Sequence, residues 1–372
     1  MNIVYVYADS TEECTHSEWR CAILARAINR TKRHSAKMLN LNEFGLNTQR
    51  ADVDCSSADV IVVQCNLIGP VLSAIQHWKA RDKVVIVDFD DAYDLMPSTN
   101  PSYQYLSKGI KSTRQLDGTT LREQFYPPPL TQFKWGLRLA HAATVPSLRL
   151  ADDWREYTDV YYLPKFIDLE KYHNVKLEPH EGINIGWGGN KSHLQSFKRS
   201  GVVEALGRVC GSRPQVKVII AGGDKRIFDL LPFPENRKTL LPWVSNSQWS
   251  QVLSKFDIGL APLHGPFDDR RSWFKVLEYM VMKIPWVGSA GSAHFEIGDY
   301  GLLINNHPDV WERVLLDIID NLHEYKLEAS RLPYLFGISQ SIDENVEKLI
   351  ATYQNVMNKV FGLSVDNLAT PQ

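Results

Sequence analysis

Four aspartates crowd the end of an apolar run in the first half of the chain. The run is Val84–Asp88, and Asp90, Asp91 and Asp94 follow it closely. Carboxylates in such a place have three uses. They cap a following turn through its backbone N–H groups, they bind a divalent cation, for which Asp88 and Asp90 are suitably spaced, or they orient and activate a hydroxyl group. All three interpretations stay open, and the catalytic candidates are Asp88, Asp90 and Asp91.

A second group of polar residues shares one face of a predicted helix near residue 275. At 100° per residue, Arg271, Lys275 and Glu278 fall within about 60° of one another, and apolar residues occupy the opposite face: Trp273, Val276, Leu277 and Met280. We predict a helix from about Arg271 whose N-terminus, with Ser272, offers N–H groups to a phosphate. The cations can neutralise a diphosphate, and the carboxylate can accept both hydroxyls of a ribose. The alternative is a solvated face with a Lys275–Glu278 pair.

Two glycine turns are further candidates for phosphate binding. Each turn follows a strand-like run, Ile183–Trp187 in one case and Val216–Ala221 in the other. Glycine lets the backbone approach phosphate oxygens closely, and nearby basic side chains add charge. The candidate contacts from these turns are Gly188, Gly189, Lys191, His193, Gly222 and Arg226.

The elements that must position these residues alternate between strand-like and helical patterns. Two series of short β-branched runs separated by helical segments predict parallel sheets, and hence two Rossmann-like domains of α/β class. The predicted strands are Ile3–Tyr7, Val60–Gln64, Val84–Asp88, Ala143–Val145, Val160–Leu163, Ile183–Trp187, Val216–Ala221, Ile258–Ala261, Trp286–Ser289 and Leu302–Ile304. We expect the first domain to span residues 1–165 together with a last helix over about 342–361, and the second to span residues 166–340.

The segment from Asp257 to Ser289 resembles the donor-binding signature of glycosyltransferase family 4, in variants found among phage and bacterial sequences. The matching residues are Pro262, Phe267, Arg271, Ser272, Lys275, Leu277, Glu278, Tyr279, Pro285 and Ser289. By this resemblance Glu278 is the second glutamate of the family's Glu–seven residues–Glu motif, which holds the ribose. Arg270 stands in place of the first glutamate, and Asp268 or Asp269 is the candidate to replace its sugar contact.

Other segments support the same resemblance. Val160–Tyr172 is similar to the family's interdomain linker, and Leu241–Trp249 is similar to the loop whose backbone reads the base, around Val244. The glycine turns match the family's first donor-domain strands. The aspartate segment Val84–Tyr103 resembles Asp-x-Asp-Asp segments of phage and bacterial glycosyltransferases.

The resemblance implies a GT-B fold, with two Rossmann-like domains facing each other across a cleft. It further implies a hexosyltransferase that moves sugar from a UDP- or GDP-sugar to an acceptor hydroxyl, with retention, without a metal and without any other cofactor. We expect the acceptor to be a glycan, a lipid-linked sugar or another hydroxyl compound. Two alternatives are a phage-type enzyme acting on a hydroxymethylated base in DNA and an inactive nucleotide-sugar binding protein.

Composition excludes several other classes. The formal net charge of -2 gives no global attraction for nucleic acid. Locally, residues 15–37 and 101–140 are basic, and each is either a solvated face or a contact for an anionic partner. The five cysteines show no metal-ligand or disulfide spacing. Without a long apolar stretch or a signal-peptide pattern at the N-terminus, we expect a cytoplasmic protein with no transmembrane segment.

Overall fold

A computed structural model describes residues 1–9, 16–115, 117–173, 175–176, 179–222 and 225–363. The chain divides into two compact units. Unit 1 comprises Met1–Asp94, Gln104–Lys165 and the chain from Ile342, and unit 2 comprises Leu95–Tyr103 and Phe166–Ser341. Within the described ranges, no helix is long and apolar enough to cross a membrane.

Unit 1 contains a six-stranded parallel sheet with the strand order β2-β1-β3-β4-β7-β8. Its strands are β1 (Asn2–Tyr7), β2 (Ser35–Asn40), β3 (Val60–Gln64), β4 (Val84–Asp88), β7 (Ala142–Val145) and β8 (Asp159–Tyr162). Every residue of β3 and β4 is buried, because both faces of a parallel sheet are covered by helices. The predicted strands of this half are confirmed, and β2 is an additional edge strand.

A hairpin outside this sheet also belongs to unit 1. It consists of β5 (Ile110–Arg114) and β6 (Thr120–Gln124), which pair in antiparallel fashion with Lys111 opposite Glu123. All but the first of its strand residues are exposed. This hairpin occupies the middle of the basic stretch 101–140.

Unit 2 contains a second six-stranded parallel sheet, with the order β11-β10-β9-β12-β13-β14. Its strands are β9 (Ile183–Gly188), β10 (Val216–Ala221), β11 (Lys238–Leu241), β12 (Ile258–Ala261), β13 (Trp286–Ser289) and β14 (Leu302–Ile304). The chain runs outward from β9 to β11 and then returns to the other side of β9. This reversal is the topological switch point at which open α/β sheets bind ligands, beyond the carboxyl ends of the strands.

Helices follow most strands and carry the connections between them. In chain order they are α1 (Ile23–Arg30), α2 (Leu41–Gly45), α3 (Gln49–Ser56), α4 (Pro70–Lys79), α5 (Tyr103–Lys108), α6 (Pro129–Leu139), α7 (Leu148–Trp154), α8 (Leu194–Arg199), α9 (Val202–Ser212), α10 (Lys225–Asp229), α11 (Asn246–Leu253), α12 (Phe274–Val281), α13 (Pro308–Asp320), α14 (Leu322–Ala329), α15 (Leu332–Ser339) and α16 (Ile342–Phe361). A π-helical turn, Glu18–Ala22, leads into α1, and short 3-10 turns include Lys191–His193 and Asp268–Arg270.

The core of unit 2 lies on both faces of its sheet. Along β10, Val218 and Ile220 join one apolar cluster with α9 and α13, whereas Ile219 and Ala221 join another with α12. The alternation follows from the two-residue repeat of a strand. It anchors α12 against the sheet, with its polar residues near the strand ends.

Helix α16 completes the core of unit 1. Its Tyr353 is fully buried, and its hydroxyl lies 3.1 Å from that of Tyr5 on β1. An exposed ion pair between Arg30 and Asp343 joins the start of α16 to the end of α1. The helix predicted over about 342–361 has these bounds in the structure.

Candidate functional site

The beginning of α12 differs from the prediction. The helix starts at Phe274, whereas Asp268–Arg270 form a separate 3-10 turn and Arg271 has an extended backbone with ψ 157°. The prediction of a helix from about Arg271 is therefore wrong by three residues. Arg271 and Ser272 belong to the loop before the helix, and both are half-buried.

Two cations lie against the end of β9 and the turn that follows it, at the switch point of the unit 2 sheet. Lys275 Nζ donates to the carbonyl of Gly188 and lies 5.0 Å from the centre of the Trp187 ring. Arg271 Nη2 donates to Ser192 Oγ at 3.0 Å. Burial lowers the pKa of Lys275 to about 8, with Glu278 opposing that shift and Arg271 adding to it. Both cations are thus held at one strand end.

Asp268 holds Arg271 in this position. Its Oδ1 accepts from Arg271 Nε at 2.8 Å, while Oδ2 accepts from Ser196 Oγ at 2.5 Å and from the backbone N–H of His264 at 3.0 Å. The carboxylate is buried and has three protein donors. Its visible role is to orient the guanidinium and tie the β12 loop to α8.

Glu278 is buried on the inner side of α12. Its carboxylate accepts a hydrogen bond from the Tyr172 hydroxyl at 2.9 Å, and the side chains of Val276, Leu277 and Met280 are buried beside it on the same helix. The alternative of a solvated Lys275–Glu278 face is wrong, since Glu278 is only 6% exposed. In the sequence, Tyr172 stands out only as the last residue of the segment that is similar to the family's interdomain linker. No pattern in the sequence indicates its contact with Glu278.

His193 brings an unsatisfied polar atom to the same place. Its side chain is 8% exposed, its ring packs edge-on against Trp187 with centroids 5.5 Å apart, and Nδ1 has no hydrogen-bond partner among the described residues. Burial, together with Arg271 and Lys275, holds the pKa of His193 well below its usual range. The ring is therefore neutral, so His193 adds a hydrogen-bonding group rather than the charge that the sequence suggested.

The glycines of the two turns are required by close packing. A Cβ on Gly188 would come within 2.1 Å of the Trp249 ring, and one on Gly222 would come within 2.1 Å of the Gly189 carbonyl oxygen. Gly222 also has φ +108°, a conformation that L side chains rarely adopt. The Gly189 N–H donates to the Ala221 carbonyl at 3.0 Å, which joins the ends of β9 and β10.

The remaining candidates of unit 2 are less enclosed. Lys191 and Arg226 are exposed, and Val244 is half-buried against the apolar cluster that includes α12. Gly223, the second glycine of the turn after β10, lies outside the described residues. We define the α12 cluster as the enclosed polar residues: His193, Asp268, Arg271, Lys275 and Glu278.

In unit 1, Asp88 belongs to a buried ion pair. Arg20 donates to it twice, from Nε at 2.8 Å and from Nη2 at 2.5 Å, and Thr144 Oγ1 donates at 2.6 Å. Arg20 is only 2% exposed and also donates to the Leu163 carbonyl at 2.8 Å. Asp88 is therefore occupied in fixing the π-helical turn to β4 and β7.

Asp90 is held by two other cations. Its Oδ2 lies 2.7 Å from His16 Nδ1 and 2.7 Å from Lys165 Nζ. Burial alone would raise the pKa of Asp90, but His16 and Lys165 hold it well below its usual range. Asp90 stays ionised, and Asp91 beside it is half-buried.

A metal interpretation of the aspartate cluster has no support in these contacts. Asp88 and Asp90 are each neutralised by protein cations, and over the ranges that the structure covers no group of three His, Cys, Asp or Glu side chains has metal-binding geometry. Asp88 and Asp90 form two ion-paired carboxylates at the carboxyl end of β4.

Most of the cations in the basic stretch 15–37 are paired with carboxylates of unit 1. Five of its six cations lie against carboxylates: Arg20 with Asp88, Arg26 with Glu18, Arg30 with Asp343, Arg33 with Glu347 and Lys37 with Asp54. In the stretch 101–140, Lys134 and Arg138 lie over the Tyr157 ring. These contacts leave the first stretch little charge to offer an anionic partner.

Comparison with solved structures identifies the fold. A sucrose-phosphate synthase from Thermosynechococcus elongatus matches with a TM-score of 0.67 and 11% identity, over 98% of this chain and 100% of that chain. Anabaena HepE, solved in complex with UDP and glucose, matches with a TM-score of 0.63 and 14% identity, over 95% and 99%. The fold is GT-B. A UDP-GlcNAc 2-epimerase from Neisseria meningitidis, solved bound to UDP-GlcNAc, also matches, with a TM-score of 0.53 and 11% identity over 95% and 100%.

These likenesses establish the α/β fold with two Rossmann-like units and no more than the fold. No protein-family model matches the chain. No curated protein matches it at a significant level. Membership of glycosyltransferase family 4 stays a prediction, and because epimerases share the fold, the activity has to be argued from the chain's own residues.

Proposed function

We propose that the chain is a glycosyltransferase that takes a sugar from a nucleoside diphosphate donor and transfers it to a hydroxyl group of an acceptor. In this proposal the α12 cluster of unit 2 binds the donor, and the aspartate cluster of unit 1 serves the acceptor. The observation that carries it is the convergence of Arg271 and Lys275 on the loop after β9, at the switch point of the sheet.

The cations explain the choice of a diphosphate. Two positive charges held at one strand end can stabilise the charges of the diphosphate and the further negative charge that develops on it as its bond to the sugar breaks, and preorganised charges of this kind act most strongly in a partly desolvated site. Lys275 is half-buried, and the loss of solvation lowers its pKa to about 8. An anion beside the Lys275 ammonium group would replace the favourable interaction with water that burial removes.

Glu278 and His193 bind the uncharged hydroxyl groups of the nucleotide sugar. A buried carboxylate is a strong acceptor for ribose hydroxyls, and Glu278 has this property while the Tyr172 hydroxyl orients it. His193 Nδ1 is buried and has no partner in the part of the chain that the structure describes, so it gives a hydroxyl of the nucleotide sugar a further place to bind. Leaving a buried polar atom without a hydrogen bond costs about 1–3 kcal/mol of stability. A ligand that makes this hydrogen bond would remove that cost.

On the acceptor side we assign the main role to Asp90. Asp88 is engaged by Arg20 and Thr144, so we infer that it acts as scaffold. Asp90 is ionised, and His16 and Lys165 both lie within 2.7 Å of its Oδ2. It can therefore orient an acceptor hydroxyl by accepting its hydrogen bond.

Three finer parts of the proposal come from the family resemblance. They are a UDP- or GDP-sugar as the donor, retention of the anomeric configuration, and turnover without a metal. The complexes of HepE with UDP and of the epimerase with UDP-GlcNAc are consistent with UDP as the nucleotide. Arg271 and Lys275 would then supply the positive charge that a divalent cation supplies in metal-dependent glycosyltransferases.

The test is a product analysis with a panel of UDP- and GDP-hexoses. We expect one donor to release nucleoside diphosphate, slowly to water and faster when a hydroxyl acceptor is supplied. Conversion of the donor into an epimer without release of nucleotide would contradict the proposal and indicate an epimerase. Nucleotide-sugar binding without either reaction would instead indicate an inactive binding protein.

A further inference from the structure

His16 and Asp90 form a linked pair that the sequence did not indicate. His16 Nδ1 lies 2.7 Å from Asp90 Oδ2, and Lys165 Nζ lies 2.7 Å from the same oxygen. The side chains of Asp90 and Lys165 are 8% and 14% exposed, whereas that of His16 is 54% exposed. The imidazole is thus the more exposed partner of the pair.

The three residues come from different elements of the unit 1 sheet. His16 lies beyond β1, Asp90 lies two residues beyond β4, and Lys165 lies three residues beyond β8. The carboxyl ends of all these parallel strands share one edge. In unit 1 the chain leaves β1 for β2 on one side and returns to β3 on the other, so the switch point lies beside β1. His16 follows the strand at this switch point.

The carboxylate fixes the ring of His16. An ionised Asp90 accepts only, so the proton between the two residues belongs to Nδ1 of the ring. The opposite nitrogen, Nε2, has no hydrogen bond within the described residues and points away from the pair. A side chain whose orientation is set by a buried second residue is the arrangement expected of a group that contacts a substrate.

An ordinary surface ion pair explains these contacts less well. Such pairs contribute only about 0–1 kcal/mol and need no enclosed partner. Here the carboxylate is buried and neutralised a second time by Lys165, so it would remain satisfied without the histidine. The contact between Asp90 and His16 therefore orders a half-exposed imidazole.

We propose that His16 contacts the acceptor, donating from Nε2–H to an oxygen of a sugar-type acceptor, and that Asp90 and Lys165 position its ring. This inference rests on the proposed function and extends it by naming a residue outside the aspartate cluster. Asp90 raises the pKa of His16 to about 9, with Asp91 adding to the shift and burial and Lys165 opposing it. The ring is protonated at neutral pH and carries a donor at both nitrogens. No proton is transferred to His16 in the reaction.

The experiment uses the full chain, the preferred nucleotide sugar and a panel of p-nitrophenyl hexosides as acceptor probes. His16→Gln should raise the KM for the best probe by about 10- to 100-fold, the scale of a hydrogen bond from a charged donor. Affinity for the nucleoside diphosphate and hydrolysis of the donor by water should stay within about twofold of the parent. His323→Gln, at an exposed position of α14, is the matched control and should change none of these values.

The pH dependence separates a contact from a structural role. Because the protonated ring is the donor, probe affinity in the parent should be steady at neutral pH and weaken as the pH rises through about 9. The profile of His16→Gln should be flat. In Asp90→Asn, the histidine's own titration, followed by ring NMR signals, should move down towards the ordinary value of about 6.5.

The other possible outcomes would overturn either the His16 contact, the class of acceptor or the proposed function. An unchanged probe KM in His16→Gln, or an equal loss of transfer and donor hydrolysis, would overturn the contact. Donor hydrolysis without transfer to any hexoside would overturn the sugar-type acceptor. Absence of both hydrolysis and transfer in the parent would overturn the proposed function itself.

Discussion

The buried ion pair of unit 1 makes a quantitative prediction for Asp88→Asn. The substitution removes the negative charge that Arg20 meets through two hydrogen bonds, while Arg20 itself is 2% exposed. Breaking a buried pair on one side costs about 3–5 kcal/mol, since the other charge is left uncompensated. At about 2–4 °C per kcal/mol for a domain of this size, the melting temperature should fall by about 6–20 °C.

The assay combines thermal unfolding with turnover on the same preparations. Asp94→Asn is the matched control, because Asp94 is exposed and a surface change of this kind is worth within about 0.5 kcal/mol. The double variant Arg20→Met/Asp88→Leu removes both charges and should recover much of the lost stability. If Asp88→Asn melts within about 2 °C of the parent but loses about 100-fold in turnover, Asp88 is catalytic and our assignment of it as scaffold is refuted.

Three further predictions concern the chemistry. Asp90→Asn should lower turnover by about 100-fold or more without changing nucleotide affinity; normal turnover in the folded variant would remove Asp90 from the acceptor site. Because the charged form of Lys275 binds the diphosphate, nucleotide affinity should fall as the pH rises through about 8, by up to about tenfold per pH unit. Lys275→Arg, which stays charged, should give a flat profile between pH 7 and 9, and the same slope in both proteins would exclude Lys275. Chelator should leave turnover largely intact, whereas complete loss in EDTA with recovery in manganese would point to a metal.

The central strands could be predicted because burial on both faces demands apolar, β-branched residues. Val60–Gln64 and Val84–Asp88 have their predicted bounds in the structure. The edge strands β2 and β11 were missed, since Ser35–Asn40 and Lys238–Leu241 mix polar and apolar residues. Edge strands are half solvated and need no continuous apolar run.

The site could be predicted only where its residues are close in sequence. Arg271, Lys275 and Glu278 share a local signature, but Tyr172 is 106 residues from Glu278 and Arg20 is 68 residues from Asp88. The sequence contains one indication of a buried Arg20. It directly precedes the apolar run Cys21–Ala25, and a cation buried beside such a run requires a charged partner. No comparable local pattern marks His16 or Lys165.

The start of α12 was misplaced for a related reason. Periodicity fits Arg271 to the helix face, yet the Asp268 carboxylate binds Arg271 from within a 3-10 turn. This hydrogen bond holds the residue in extended conformation before the helix begins. Side-chain contacts of that kind compete with helix formation and are not visible in a pattern of apolar residues.

The most direct test of donor binding by the α12 cluster is calorimetric titration of UDP and GDP into the parent protein and Glu278→Gln. The glutamine carbonyl can still accept from the Tyr172 hydroxyl, so the melting temperature should change little, but the charge that holds the ribose is gone. We predict that the parent binds at least one of the two nucleotides and that Glu278→Gln weakens it by about 10- to 150-fold, equivalent to about 1.5–3 kcal/mol. The exposed control Glu328→Gln should bind as the parent does. Equal affinity in the parent and Glu278→Gln, or no binding by the parent, would contradict the account.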